Sequence, residues 1–173
     1  GTRLAVTQGD GCVTVWSVSD GTEESALRGF DGPVSTAAFS RDGRSIAAGG
    51  SDGVVRVWEI DTGQTLLTLR GHSAGITGIR FTADGRWLVT SAADRTARFW
   101  DLSGDSPGCT LLSIAELPEA VRQANQQREP AYSGCVLSPT GKMAATSWGR
   151  TVVLWDMGTR SYLRAIEDRK RSS

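Results

Sequence analysis

Tryptophan returns at a fixed interval in this chain: Trp16, Trp58 and Trp100 are separated by 42 and then 42 residues. Around each of them short runs of alternating apolar and polar residues flank Gly/Asp turns, and one run carries the Trp. Alternation with period two is the mark of half-buried strands, and Asp-Gly between two such runs marks a hairpin. A recurrence of about 40–45 residues describes a unit that folds as a small sheet and buries its faces only against its neighbours. The fullest copy is Gly71–Asp101. It opens on Gly71-His72, closes on Trp100-Asp101, and turns at Asp84-Gly85 and at Ala93-Asp94-Arg95.

Taken in order, the 173 residues predict an all-β chain of four-stranded antiparallel blades fanned about an axis, a β-propeller segment whose ring is incomplete. Blade one, residues 1–29, lacks its innermost strand and retains Leu4–Thr7, Val13–Val18 and Glu24–Leu27. Blade two is whole over 30–71, and blade three spans 72–114. Blade four spans 132–168, and its Trp155 follows Trp100 by 55 residues, so extra residues have entered. They fall in 115–131, where Leu117, Val121 and Ala124 recur at helical spacing, Pro118 suits a first turn and Pro130 stops the run. One short helix is therefore expected between blades three and four. A basic tail, 169–173, reads as a frayed end, with a docking or localisation patch as the alternative.

Gly71-His72, Asp94 and Trp100-Asp101, together with the period, resemble the WD-repeat family. The resemblance implies a buried hydrogen-bonded chain in each complete blade, running from a loop His through a second-strand Ser/Thr to the third-strand Trp, with a turn Asp on the His. In copy three these are His72, Thr90, Asp94 and Trp100. A buried imidazole, hydroxyl and indole N–H are costly unless each finds a partner, so the four are expected to be structural. The other copies depart from the pattern. Copy two has Phe30 and Ala48 beside Asp52 and Trp58, copy one has Val6 between Asp10 and Trp16, and copy four aligns Ala145 and Gly149 with Trp155.

Composition narrows the function. Nineteen basic residues balance nineteen acidic ones, so the field that draws in nucleic acid or an anionic membrane is missing, and no apolar run is long enough for a spanning helix. Cys12, Cys109 and Cys135 are odd in number and scattered, which suits a reducing compartment; the expectation is a cytoplasmic protein, with the nucleus as the alternative. His72 is the single histidine, which leaves little for a metal or a Ser-His-Asp arrangement, and no cofactor is expected. Gly9–Gly11 and Gly49–Gly53 lie between strands, without the helix and the Lys-Ser/Thr pair of a phosphate loop.

By the same resemblance, blade-joining loops and the turns between second and third strands share one face, the family's usual binding surface. Copy four is unusual there: an insert occupies the joining loop, and the turn reads Ser147-Trp148-Gly149-Arg150. An aromatic beside an arginine is the composition of a binding hot spot. The candidate partner-binding residues are Trp148, Arg150, Arg122 and Glu119, with Arg95 from the preceding turn; the alternative for Trp148 is packing under the insert against Leu117 or Val121.

The functional expectation is a non-catalytic protein–protein interaction scaffold that presents loops to a partner protein. The alternative is the regulatory or sensor portion of a larger signalling enzyme, a kinase or NTPase, with its catalytic residues outside this chain. An enzyme in its own right, or an RNA-binding assembly factor, ranks below both. Open blade faces at each end call for the rest of a longer chain, self-association, or blades from another chain.

Overall fold

The computed structural model describes residues 1–103, 108–113, 118–119, 132–138, 140, 142–148, 151–159 and 161–167. Alternating sequences form strands throughout, each turning back on the last. The first sheet comprises β1 (Arg3–Thr7), β2 (Cys12–Ser17) and β3 (Glu23–Arg28); the second, β4 (Val34–Phe39), β5 (Ser45–Gly50), β6 (Val55–Glu59) and β7 (Thr65–Leu69). The third comprises β8 (Ile76–Phe81), β9 (Trp87–Ala92), β10 (Thr96–Asp101) and β11 (Gly108–Ser113). The fourth comprises β12 (Tyr132–Leu137), β13 (Met143–Trp148), β14 (Thr151–Asp156) and β15 (Ser161–Glu167). Every neighbouring pair is antiparallel, and the sheet orders follow the chain, so each blade is a simple meander. The all-β propeller segment expected from the sequence is what the structure shows, with β1 lacking the inner strand that β5, β9 and β13 all have. The helix expected within 115–131 lies outside the described residues, apart from Pro118 and Glu119.

The core is divided among the seams between successive sheets. Val13, Val15 and Leu27 of the first sheet meet Ile46, Ala48, Trp58 and Ile60 of the second. Val55, Val57 and Leu69 of the second meet Leu88 and Trp100 of the third, and Ala97 and Phe99 of the third meet Ala144 and Trp155 of the fourth. Each third-strand Trp therefore faces the preceding blade. Trp58, Trp100 and Trp155 are 1%, 4% and 0% exposed. Trp16 holds the same register, opposite Leu4 as Trp58 is opposite Ile46, but it is only half-buried, with none of the described sheets against its face.

Polar links cross the seams as well. Arg3 of the first sheet donates to Asp61 Oδ1 at 3.0 Å and to the Gly43 carbonyl at 3.1 Å, and Ser25 Oγ donates to the Ile60 carbonyl at 2.8 Å. Gly49 lies against the side chain of Ile76, with no room for a Cβ, so the inner part of the second sheet is tight on the third.

Candidate functional site

Over the first three blades the second-to-third-strand turns and the loops that join blades form one continuous belt. Within a blade they are tied together: Ser51 N–H donates to the Pro33 carbonyl at 3.0 Å and Ala93 N–H to the Gly75 carbonyl at 2.9 Å. Between blades they abut, because Gly11 sits under the Phe30 carbonyl and Gly53 under that of His72. Both glycines have left-handed backbones, φ 82° and 79°, and a Cβ on either would collide with that carbonyl. Arg95 occupies the equivalent place in the third blade at φ 67°, the only non-glycine with positive φ among the described residues, and its side chain is exposed.

The turn aspartates hold these hairpins. Asp10, Asp52 and Asp94 each accept, through Oδ1, the amide N–H two residues on, at 3.1, 3.0 and 2.9 Å. This is the Asx turn, a side chain replacing a missing backbone acceptor. Asp94 does more. Its Oδ2 lies 2.9 Å from His72 Nδ1 and accepts from Ser73 N–H at 2.9 Å, so one carboxylate joins the turn to the blade-joining loop.

Behind Asp94 the chain of bonds runs inward. His72 Nε2 lies 2.8 Å from Thr90 Oγ1, and Trp100 Nε1 donates to the same oxygen at 3.0 Å. A carboxylate only accepts and an indole N–H only donates, and with a neutral imidazole these fix the direction. The proton sits on His72 Nδ1, Thr90 gives its hydroxyl proton to Nε2, and the imidazole is neutral. Burial lowers the His72 pKa from its ordinary 6.5, and this outweighs the opposing pull of Asp94. Burial alone would raise the Asp94 pKa, but hydrogen bonds from Thr96, Ser73 and His72 hold it below the usual carboxylate value. His72, Thr90, Asp94 and Trp100 are thus brought together, and the His72 side chain is fully enclosed.

The other copies satisfy the same space differently. Phe30 stands edge-on to Trp58, ring centres 5.8 Å apart, and both belong to one apolar cluster with Ala48. In the fourth blade the hydroxyl partner assigned from the sequence needs correction. Trp155 Nε1 donates to Thr146 Oγ1 at 2.9 Å, so Thr146, and not Ala145, occupies the position of Thr90. The hairpin is one residue shorter: β13 and β14 leave only 149–150 between them, whereas β9 and β10 leave 93–95. A fixed offset from Trp therefore slips by one.

The same slip moves Trp148 off the turn. It is the last residue of β13, its backbone paired with Tyr132 and Thr151. Arg95 lies on the neighbouring hairpin, and Glu119 is exposed. Arg122 and Arg150 lie outside the described residues.

A groove not anticipated from the sequence lies on the opposite end of the blades, between the second and third. It encloses about 710 Å³ and is lined by Arg41, Asp42, Leu66, Leu67, Phe81 and Asp84, among others. Its one sequence signal is Leu66, 48% exposed at a bulge where the first blade has Glu24. No group of three or more His, Cys, Asp or Glu placed to hold a metal occurs among the described residues, and among them no helix is long and apolar enough to cross a membrane.

Fanned antiparallel sheets, a tryptophan on the same face of each, and a His–Thr–Trp chain anchored by a turn Asp define a WD-repeat propeller. Comparison with known proteins agrees. The WD domain, G-beta repeat family matches residues 21–59 and 63–101, and the chain carries these WD repeats within a segment of a β-propeller. The crystal structure of the mitotic checkpoint complex contains a chain that superposes with TM-score 0.80 at 19% identity, over 96% of this chain and 50% of that one. At that identity the likeness is one of fold, and this chain spans about half the length of the chain it matches. No curated protein matches the sequence.

Proposed function

We propose that this chain is a non-catalytic protein–protein interaction scaffold that displays its belt of joining loops and turns to another protein. One observation carries the reading: the belt is fixed before any partner arrives. Asp94 bonds its own turn, the Ser73 amide and His72, and His72 is anchored through Thr90 to the Trp100 core. Loops held in this way lose little conformational entropy on binding, so their contacts convert efficiently into affinity. His72, enclosed and hydrogen-bonded at both nitrogens, serves as a strut and not as an acid or base.

On this reading the contacts come from Trp148, Arg150, Arg122, Glu119 and Arg95, around the junction of the third and fourth blades. The exposed Arg95, where the preceding turns have buried glycine, supports that placement. The cytoplasmic placement belongs to the same reading and rests on the scattered cysteines. The test is affinity capture with the wild-type chain and with a chain bearing Arg95→Asp, Trp148→Ala and Arg150→Asp. A protein held by the first and released by the second, at unchanged melting temperature, supports the reading. Equal capture by both contradicts it.

A further inference from the structure

The shared register of the sheets allows one position to be compared from seam to seam. The residue after each third-strand Trp, namely Ser17, Glu59, Asp101 and Asp156, pairs with Arg3, Ser45, Trp87 and Met143 respectively. Arg3 crosses to the second sheet, where it donates to the Gly43 carbonyl and to Asp61, and Glu24 of its own blade braces it. Trp87 packs on the cluster shared by the third and fourth sheets, with the Arg86 guanidinium 5.5 Å from its ring centre. Between the second and third sheets the same position holds only the small side chain of Ser45. The groove of about 710 Å³ opens at that place, and Ser45 lines it.

The walls decide what fits. Where the first blade has Glu24 and Ser25, the second has Leu66 and Leu67, so the carboxylate that braces an arginine is gone. Val57, Phe81 and Leu102 extend the apolar floor. Leu66 is 48% exposed even though the following blade is in place. At the rim stand Asp42 and Asp84. Hydrogen bonds, chiefly from the Ser40 and Thr82 hydroxyls and then from the Arg44 and Arg86 amides, hold both below the usual carboxylate range, so both are charged at neutral pH. Among the described lining residues the single cation is Arg41, which reaches the Ala83 carbonyl at 3.4 Å, while nearby Arg86 is paired with Asp101. The rim is therefore net negative around an apolar floor.

We propose that this groove takes an aromatic side chain from a partner peptide, with basic residues of the same peptide set against Asp42 and Asp84. The bound ring occupies the place that Trp87 fills in the next seam, and a planar aromatic with cations beside it matches both the floor and the charge of the rim. Both walls belong to interior blades, at the opposite end from the loop belt, so this inference stands apart from the scaffold reading.

Titration of the isotope-labelled whole chain with the capped peptide acetyl-GRWRG-amide, followed by amide chemical shifts, tests it. Saturable shifts are expected at Leu66, Leu67, Gly85 and Leu102, and none on the loop belt. The peptide acetyl-GRARG-amide is expected not to saturate. Its counterpart acetyl-GEWEG-amide is expected to bind about tenfold more weakly, the scale of two exposed ion pairs lost. Ser45→Trp fills the groove with the third blade's own residue, and Leu66→Glu restores the first blade's; each is expected to keep the wild-type circular dichroism and to abolish the titration. No saturable shifts in the wild type, equal binding of the three peptides, or undiminished binding by either folded variant would each overturn the proposal. Shifts at the same amides that grow with protein concentration alone would overturn it too, by giving the groove to a second copy. Capture through the loop belt leaves all of these readouts unmoved, so the two readings fail separately.

Discussion

Trp155 donates its indole N–H to Thr146 at 2.9 Å, both side chains fully buried, in a blade with no histidine in its sequence. The inner link of the chain seen in the third blade thus survives alone. Thr146→Val keeps the shape and strands a buried donor. The expected loss is about 1–3 kcal/mol, the usual penalty for an unsatisfied buried group, read by urea unfolding.

His72→Ala removes the strut that connects Asp94 to Thr90, and leaves both with an unmet partner around a small cavity. A loss of roughly 2–4 kcal/mol is expected, with partner binding preserved if the belt can still be populated. Unchanged unfolding together with lost binding would make His72 a contact residue instead.

The same histidine sets a pH dependence. Its folded pKa lies below 6.5, so between the two values the unfolded chain binds the proton and the folded chain does not. Unfolding free energy therefore rises with pH through that window. Neutral His72 contributes fully above about 6.5, and its contribution declines as pH falls below that value toward the folded pKa. Protonation would also place a second N–H on Thr90, whose oxygen already accepts from Trp100. It is the only imidazole in the chain, and the lowered carboxylates, Asp94 among them, add slope of the same sign only toward the acid end. Stability measured from pH 7.5 to 5 is expected to fall in the wild type and to flatten in His72→Gln.

Arg95 carries a left-handed backbone that glycine takes at the two preceding turns. A left-handed L-residue costs roughly 1–2 kcal/mol, and glycine returns part of that as unfolded-state entropy. Arg95→Gly should stabilise the chain by up to about 1 kcal/mol, and Arg95→Val should destabilise it. If Arg95 is a partner contact, the glycine variant is more stable and binds less, a combination that packing alone does not produce.

In the second blade, Phe30 does in hydrocarbon what His72 does by hydrogen bonding. Its ring abuts Trp58, and the Arg56 guanidinium lies 5.7 Å from its centre. Phe30→Ala is expected to cost about 3–5 kcal/mol as a buried aromatic truncation, seen as a lower melting temperature.

Much of the fold was legible because the period of 42 and the alternation of strands are both local, repeated signals. The chain of His72, Thr90, Asp94 and Trp100 was implied by the resemblance of Gly71-His72, Asp94 and Trp100-Asp101 to the WD-repeat family. The fourth blade was misaligned where spacing ceased to be a guide: a hairpin shortened by one residue exchanged Ala145 for Thr146 and carried Trp148 into a strand. Side-chain alternation cannot reveal such a slip when Ala144, Ala145 and Thr146 are all small. The groove beside Leu66 was invisible because its walls come from two blades and meet only in space. The strain at Arg95 had a sequence signal, Asp-Arg where the first two copies read Asp-Gly, which backbone geometry makes meaningful.

The central claim is that each sheet leans on the one before it through its tryptophan. Fluorine NMR of 5-fluorotryptophan-labelled protein, assigned with single Trp→Phe variants, measures this through the solvent-isotope shift of each resonance. Trp58, Trp100 and Trp155 are expected to show almost no shift between H2O and D2O, and Trp16 to respond whenever its face is uncovered. Solvent-responsive resonances from Trp58, Trp100 and Trp155 would contradict the account.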